Sequence, residues 1–227
     1  MSTSGSTNYS LTALQVIDYA LKKINLVGRG QSTPSELSDG ALLELNVMLK
    51  EWMKYDSIWR LTDTSVAPTA STASVSLSVA NPYRVIDVRF RNTSSIDIPM
   101  TELTRQEYYD IPLKTSTGTP TSWYYDPQRA SDTLYIWPVL SSVTTETLRF
   151  TYQRRYEDVD ALGNEIDVPQ EHLSVVGYNL AARLADEFGK SGPHIDRIIA
   201  RAEMMLQEAL DADRADVVRF VPETRYG

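Results

Sequence analysis

Residues 173–188 read LSVVGYNLAARLADEF, and two patterns run along this stretch. Large apolar residues recur every three or four positions, which is the spacing of an α-helix with one buried face. Small residues at Gly177, Ala181 and Ala185 lie beside that face and would let a second helix approach closely. Gly189 follows as a predicted helix cap. The stretch therefore predicts a helix against which other helices pack. Its large apolar residues are Leu173, Val176, Leu180, Leu184 and Phe188.

Three further helices are predicted, one after this stretch and two near the start of the chain. After Pro193 the sequence has its most regular amphipathic pattern. Near the N-terminus, Thr12 and Gln15 form a capping box, and Thr33 is placed to cap a second helix that should run to about Asp56. Two helices joined by a short glycine-containing loop form an antiparallel hairpin. The apolar stripes are Leu14, Ile17, Leu21 and Ile24, then Leu37, Ala41, Leu45, Met48, Leu49 and Trp52, and last Ile195, Ile198, Ile199, Ala202, Leu206, Ala209 and Leu210.

The middle of the chain instead alternates apolar and polar residues with the period of a β-strand. Two aromatic-rich strands are predicted at residues 123–125 and 134–137, and a capping box at Thr104 and Glu107 predicts a short helix between strands. Several short strands separated by turn signals indicate a small antiparallel sandwich or barrel. The residues predicted to face its core are Ala73, Val75, Leu77, Val79, Ile86, Val88, Phe90, Leu148, Phe150 and Tyr152.

The order of these segments predicts an α+β fold, in which a four-helix bundle is split by an inserted antiparallel β-sandwich or barrel-like domain. Neither pair of helices can bury its apolar stripe alone, so the two hairpins are expected to pack together. The predicted domains are a flexible arm at residues 1–10, the bundle at 11–60 and 165–213, the β insertion at 61–156, and an extended tail at 214–227.

The composition narrows the classes of function. Hydrophobic residues make up 42% and charged residues 23% of the 227 positions, which is typical of a globular protein and excludes a disordered one. No apolar run reaches the roughly 20 residues of a membrane span, and the N-terminus lacks a signal peptide, so a soluble cytoplasmic product is expected. The absence of cysteine excludes thiolate chemistry, and a net charge of −8 disfavours wrapping of DNA.

No sequence motif for catalysis or cofactor binding is complete. Residues 189–191, Gly-Lys-Ser, resemble the end of a phosphate-binding loop, but Leu184 stands where an earlier glycine is needed. His172 and His194 lie near predicted helix starts without the spacing of metal ligands. The sequence therefore predicts a protein that is not an enzyme and that has no cofactor or metal. Paired carboxylates, as used in sugar hydrolysis, stay open as an alternative because the chain has 30 acidic residues.

Two sets of side chains on the insertion are candidates for partner contact. The aromatic set forms either the core of its strands or a platform for a sugar or a protein. The arginine set forms a solvated face or a set of intersubunit ion pairs, in preference to a DNA site. The aromatic residues are Trp123, Tyr124, Tyr125, Tyr135 and Trp137, and the arginines are Arg84, Arg89, Arg91, Arg149, Arg154 and Arg155.

The C-terminal segment 214–227 loses the helical period and interleaves apolar residues with arginines. This pattern favours an extended peptide that docks onto a partner, since tyrosine and arginine are common interface anchors. A tail folded back on its own bundle is the alternative. The predicted docking residues are Arg214, Arg219, Phe220, Arg225 and Tyr226.

Several motifs along residues 11–213 occur in an order that resembles one known family. They are LVG at 26–28, the second-helix pattern at 42–52, PMTELTRQEY at 99–108, TGTP at 117–120, LYIWP at 134–138 and LAARLA at 180–185. In this order they resemble the head-to-tail adaptor (connector) proteins of tailed bacteriophages, of the podovirus type, which bind beneath the portal ring.

The resemblance implies a structural virion protein at the head-to-tail junction that is present in the host cytoplasm during assembly. Such adaptors form a homo-oligomeric ring, usually of twelve copies, that docks on the portal protein and extends the DNA channel. Their C-terminal segments commonly reach into the portal, and a tail nozzle or tail tube protein binds below. DNA passes through the lumen without specific binding, and no membrane is involved.

Two other functions remain open at this stage. One is a virion-associated cell-wall hydrolase that uses a carboxylate pair. The other is a carbohydrate- or receptor-binding module that uses the aromatic strands of the insertion.

Overall fold

The computed structural model describes residues 5–28, 30–55, 58–77, 81–129 and 132–212. The chain divides into two compact units. The helical unit combines Met1–Trp59 with Tyr156–Gly227, and the β unit consists of Arg60–Arg155. The N-terminal and C-terminal helices thus pack together, with the strands inserted between them in sequence, which confirms the predicted α+β fold.

The described part of the helical unit contains four long helices, and one short helix belongs to the β unit. None of the helices in the described ranges is both long and apolar enough to cross a membrane. Single 3-10 turns at Ile58–Arg60 and Gln170–His172 stand before the first strand and before the third long helix. The helices are α1 (Ala13–Lys23), α2 (Ser35–Trp52), the short α3 (Arg105–Asp110) of the β unit, α4 (Leu173–Glu187) and α5 (Pro193–Ala212).

Helix α4 is the centre of the helical unit, because it packs against α1, α2 and α5. Leu180 and Ala181 are completely buried along its inner face. A Cβ atom added at Gly177 would lie 2.5 Å from Cδ1 of Tyr19 on α1. The prediction that small residues let a second helix approach α4 is therefore confirmed at Gly177.

Two of the predicted helix ends are confirmed in atomic detail. Thr12 caps α1, since the Gln15 amide donates to Thr12 Oγ1 at 3.4 Å and the Thr12 amide donates to Gln15 Oε1 at 3.0 Å. After α4, Gly189 adopts a left-handed conformation with φ +59°. Its amide donates to Asp186 O at 3.0 Å, and the Lys190 amide donates to Ala185 O at 2.7 Å, as in a Schellman motif. Residues 189–191 thus follow directly after a helix, whereas a phosphate-binding loop follows a strand.

Other details of the helices differ from the prediction. Thr33 does not cap α2: Pro34 holds the cap position without a side-chain hydrogen bond, and the Thr33 hydroxyl donates to the Asp18 carboxylate instead. Helix α2 ends at Trp52 rather than near Asp56. Leu14 and Ile199 are each 38% exposed, because the buried faces of α1 and α5 are turned slightly away from them.

The segment that returns to the helical unit after the β unit is fixed to α1 and α2. The Ala13 amide donates to Asn164 O at 2.8 Å, so an amide in the first turn of α1 finds its acceptor on this segment. On α2, the Asn46 side chain accepts from the Val159 amide and donates to Val159 O, both at 2.9 Å. The Lys50 ammonium donates to Tyr156 O at 2.6 Å. These contacts hold the segment that follows the β unit against the two N-terminal helices.

The β unit contains two four-stranded sheets, with strand orders β1-β8-β3-β4 and β2-β7-β6-β5. Side chains from both sheets share one core, in which Phe150 of the first sheet and Trp123 and Ile136 of the second are almost fully buried. The two sheets therefore pack face to face as a small sandwich. The strands are β1 (Leu61–Val66), β2 (Ser74–Ser76), β3 (Pro82–Arg91), β4 (Asp97–Pro99), β5 (Thr101–Glu102), β6 (Ser122–Asp126), β7 (Thr133–Trp137) and β8 (Thr147–Arg154).

Two details of the sandwich correct the prediction. A register shift between Val85 and Asp87 interrupts the alternation of β3. Val85 is therefore 3% exposed, and Ile86, which was predicted to face the core, is 41% exposed. The sheets are also not wholly antiparallel, because β5 pairs with β6 in parallel. The remaining predicted core residues of β3 and β8, from Val88 to Tyr152, are buried.

We expect Gly177→Ala to destabilise the helical unit by about 1–2 kcal/mol, because the new methyl group would overlap the Tyr19 ring. Gly40→Ala in α2 is the matched control: a Cβ there meets no atom within 4 Å, so the helix-propensity gain of about 1 kcal/mol should be realised. Urea unfolding of the full chain gives the free energy of unfolding of both variants. A Gly177→Ala protein as stable as the Gly40→Ala protein would contradict the close packing of α1 on α4.

Candidate interaction surface

The five aromatic residues singled out in the sequence face two sides of one sheet. Trp123 belongs to the core of the sandwich at 2% exposure, and Tyr125 packs against that core. Tyr124 and Tyr135 lie opposite each other on β6 and β7 and point to the other face of the sheet. Trp137 is held at the edge by a hydrogen bond from Nε1 to Leu113 O at 3.1 Å. Strand alternation thus splits the predicted platform, and only part of it lies on the outer face.

On that outer face, Tyr124 and Tyr135 join Tyr108 and Tyr109 of α3 in a group that we call the tyrosine cluster. The ring centroid of Tyr108 lies 5.5 Å from that of Tyr124 and 5.0 Å from that of Tyr135. The Thr104 capping box positions α3, as predicted, with the Thr104 amide donating to Glu107 Oε2 at 2.7 Å. A helix of six residues thereby supplies half of the cluster.

The tyrosine cluster is packed on itself and carries cations at its rim. Burial raises the pKa of the Tyr108 and Tyr124 hydroxyls above the ordinary tyrosine value. Lys114 Nζ lies 5.6 Å from the Tyr109 ring, and Arg105 Cζ lies at the same distance. Tyr109 and Leu113 are 51% and 62% exposed. An exposed aromatic and an exposed aliphatic side chain beside two cations have the composition of a protein contact, whereas a sugar platform needs open ring faces.

The predicted arginine patch of the β unit carries its own counter-charges. Arg89 Nε lies 2.9 Å from Asp87 Oδ2, and Arg89 Nη2 lies 3.6 Å from Asp63 Oδ1. Arg91 donates two hydrogen bonds to the Asp97 carboxylate, at 2.7 and 2.8 Å. This fork lowers the pKa of the Asp97 carboxyl, which therefore remains ionised at neutral pH. These ion pairs are within one chain, so Arg89 and Arg91 offer little uncompensated positive charge to phosphates.

Arg155 is compensated in the same way, although more weakly. Its Nη2 atom lies 4.0 Å from Asp132 Oδ2, and its Nε donates to Asn81 Oδ1 at 3.2 Å. Asp132 is 3% exposed and also lies 2.9 Å from the Tyr125 hydroxyl. Arg155 and its neighbours thus fix the strand ends rather than extending freely into solvent.

Candidate catalytic groups gain no support in the part of the chain that is described. No group of three or more His, Asp or Glu side chains there could hold a metal ion. Every carboxyl group there whose pKa departs from its usual value is shifted downward by hydrogen bonds, whereas a general acid needs an upward shift. His194 Nε2 lies 2.8 Å from Lys23 O, near the end of α1, and His172 holds the cap position of α4 without a side-chain hydrogen bond to it. The carboxyl groups with lowered pKa are Glu51, Asp97, Glu107 and Glu146.

The predicted docking tail at 214–227 lies outside the described residues, and so do all five of its predicted contact residues. The description of the C-terminal region ends within α5, where an apolar groove is present. Trp52 of α2, Tyr156 and Val175 form one side of this groove, and Leu206 and Leu210 of α5 form the other.

The prediction from the sequence did not include the α3 tyrosines, of which Tyr108 is buried in the cluster and Tyr109 is exposed. The signal was present, because the capping box at Thr104 predicted a helix and Tyr108 and Tyr109 follow inside it. What the sequence did not show is that this helix lies on the sheet and stacks Tyr108 against Tyr124, since that contact joins positions far apart in the chain.

Comparisons with known proteins place the chain in one group. The family model described as SU10 adaptor protein matches residues 11–225. No curated protein matches the chain significantly.

Among solved structures, a chain from the neck of an empty GTA particle, computed with C6 symmetry, is similar with 13% identity and a TM-score of 0.32, over 84% of this chain and 93% of that one. A chain from the virion of a native gene transfer agent particle has 14% identity and a TM-score of 0.30, over 85% and 93%. A third, from the neck of a native GTA particle computed with C12 symmetry, has 14% identity and a TM-score of 0.27, over 84% and 93%.

The ion pairs of the β unit yield a prediction about DNA. Replacing Asp87 and Asp97 by asparagine should strengthen binding of duplex DNA by about threefold or more at low salt, because it removes the closer carboxylate partner of Arg89 and the described ion-pair partner of Arg91. Glu102→Gln with Asp110→Asn is the matched control, with the same change in net charge. Fluorescence anisotropy with labelled DNA measures both. Equal gains in the two double variants would show that net charge, and not local pairing, limits DNA binding.

Proposed function

The chain belongs to the SU10 adaptor protein family, whose model spans residues 11–225, and from this membership we propose that it is a structural subunit of the virion neck. It forms a ring that joins the portal to the tail and extends the channel through which DNA leaves the capsid. The observation that carries the proposal is the family match across nearly the whole chain. The order of motifs in the sequence, which resembles that of head-to-tail adaptors, supports the same proposal.

The charge distribution supports a role in a DNA channel. The chain has a net charge of −8. The arginines of the β unit for which ion pairs are described are paired with Asp63, Asp87, Asp97, Asp126 and Asp132. A surface of this kind does not hold phosphates, so DNA moves past it without sticking. The partners are therefore proteins: other copies of the chain in a ring of twelve, the portal above, and a tail nozzle or tail tube below.

Within this proposal the two units have different tasks. The helical unit, with its completely buried core on α4, is the rigid scaffold of the ring. The tyrosine cluster of the β unit, with Tyr109 and Leu113 exposed beside Arg105 and Lys114, is a contact surface for a neighbouring virion protein. The C-terminal segment docks into the portal through Arg214, Arg219, Phe220, Arg225 and Tyr226, whose residue types are typical anchors of protein interfaces.

Mixing the purified chain with the portal ring of the same virus should give a ring of this protein on one face of the portal. Electron microscopy of the mixture tests this directly, with the portal alone as the control. A monomer in isolation is compatible with the proposal, since the portal provides a template for ring closure. A mixture in which the protein stays unbound at micromolar concentration would contradict it.

Deleting residues 214–227 should weaken binding to the portal by about tenfold or more, which corresponds to about 1.4 kcal/mol, because the deletion removes the aromatic and arginine anchors. The affinity of each protein for portal immobilised on a surface is measured, and thermal unfolding shows whether the fold is retained. The variant Phe220→Ala with Tyr226→Ala tests the aromatic anchors without shortening the chain. Unchanged affinity of the deleted protein would remove the tail from portal docking.

A further inference from the structure

The outer face of α2 carries an apolar stripe that the core of the helical unit does not use. Leu43 is 68% exposed and Val47 is 40% exposed. Both lie one turn apart on the side of the helix opposite the buried Leu45 and Trp52. Surface leucines are common singly, but an aligned pair in the middle of a long helix forms a strip against which a second helix fits.

Gly40 lies on the same stripe and has no evident purpose within the chain. A glycine inside a helix is less favourable than alanine, so it usually has a packing reason. Yet a Cβ atom at Gly40 would meet no atom of this chain within 4 Å. A backbone from outside the chain that approaches α2 closely at this point would explain the glycine.

A complementary stripe runs along the outer face of α5. Ala200 and Met204 lie one turn apart, on the side away from the buried Ile198 and Ala202. Met204 is 42% exposed, and Ala200 is exposed as well. Small and flexible apolar side chains of this kind adapt to a facing helix.

The charges that flank the two stripes occur in opposite order. Along α2, the acidic pair Glu36 and Asp39 precedes the apolar stripe, and Lys54 follows it just after the helix ends. Glu51, at the same end, is already paired with Arg183 of α4. Along α5, both arginines of the helix, Arg197 and Arg201, precede Met204, as do the acidic Asp196 and Glu203, and the acidic Glu208 and Asp211 follow it. All are exposed. Among the described residues, Glu36, Asp39 and Arg201 have no ion-pair partner within the chain. Two helices with these orders are complementary when they run in the same direction.

Within one helical unit α2 and α5 do run in the same direction. Both begin beside the C-terminal half of α1, where Thr33 binds Asp18 and His194 lies against Lys23. Both end at the apolar groove that Trp52 and Leu206 line together. Neighbours in a closed ring of twelve differ by a rotation of about 30°. Such a rotation keeps α2 of one copy and α5 of the next pointing the same way.

We infer that neighbouring copies in the ring associate through the outer stripe of α2 in one copy and the outer stripe of α5 in the next. The contact sets Leu43 and Val47 against Ala200 and Met204, and Asp39 against Arg197. It uses two different surfaces of the same chain, which is the kind of interface that closes into a ring. This inference rests on the proposed function, because it needs the ring to exist.

Disulfide cross-linking tests the contact, because the chain has no cysteine of its own. Rings of a Leu43→Cys, Met204→Cys double variant, assembled on the portal and treated with a mild oxidant, should give a ladder of covalent oligomers on a non-reducing gel. Leu43→Cys with Ile199→Cys is the matched control, since Ile199 is 38% exposed on a different side of α5. The control should remain largely monomeric on the same gel.

Two sets of substitutions separate assembly from folding. Asp39→Arg and Arg197→Glu should each reduce the amount of ring by about tenfold, and the double variant should restore it, because every copy contributes both sides of the pair. Gly40→Gln should leave the melting temperature of the free protein unchanged or higher and still reduce ring formation.

The outcomes distinguish this inference from the function on which it rests. Rings that form on the portal without a 43–204 cross-link, and whose yield does not change in the Gly40→Gln variant, would overturn the α2–α5 contact and leave the adaptor function intact. A protein that forms no ring with the portal would overturn the proposed function and the contact together. Cross-linking with charge-swap rescue would establish the contact.

Discussion

The pairing of β1 with β8 is the constraint on which the split arrangement depends. These are the first and last strands of the β unit, and Leu61 lies opposite Gln153 in an antiparallel register. The chain therefore enters and leaves the β unit at adjacent positions. Closing a flexible loop of about a hundred residues costs roughly 4–5 kcal/mol of chain entropy. A folded insertion whose ends already lie together removes most of that cost for the helices on either side of it.

The helical unit uses this proximity through polar contacts as well as through its core. Asn46 and the backbone of Val159 exchange two hydrogen bonds, and the Ala13 amide finds its acceptor at Asn164. An unpaired amide or carboxamide in a partly buried site costs about 1–3 kcal/mol. The polar groups of the N-terminal hairpin therefore find their hydrogen-bond partners, and its apolar face becomes buried, only when the C-terminal part of the chain is present. Helix α4 completes the arrangement by burying Leu180 and Ala181 among the other helices.

The sequence predicted the features that depend on local spacing. The Thr12 and Thr104 capping boxes, the end of α4 at Gly189 and the alternation of β8 are confirmed, because each is decided within a few residues. The errors arise where a distant or subtle contact decides. Thr33 binds Asp18 instead of capping α2, and a register shift against β8 turns Ile86 outward.

The candidate surfaces also divide into features decided by local spacing and features decided by distant contacts. Strand alternation separated Trp123 from Tyr124 in a way that period-2 reasoning could foresee, but the stacking of α3 on the sheet could not be predicted from one-dimensional spacing. The arginines were visible in the sequence, and Asp87, the closest partner of Arg89, lies on the same strand. Other partners come from elsewhere in the sheet: Asp97 is on the adjacent β4, and Asp63 is on β1, two strands away from Arg89. Which charges cancel is therefore a property of strand pairing. The tail residues 214–227 lie outside the described structure, and their role stays a prediction.

The division of the helical unit between the two ends of the sequence also sets an order of events during translation. The β unit emerges complete from the ribosome before α4 and α5 are made, so it is able to fold while synthesis continues. Helices α1 and α2 must wait, and the apolar faces around Ile17 and Leu45 stay uncovered until the last quarter of the chain appears. The nascent protein thus has an interval in which these uncovered apolar faces favour aggregation. Premature termination after the β unit would leave a folded β unit attached to a helical hairpin whose apolar face is exposed.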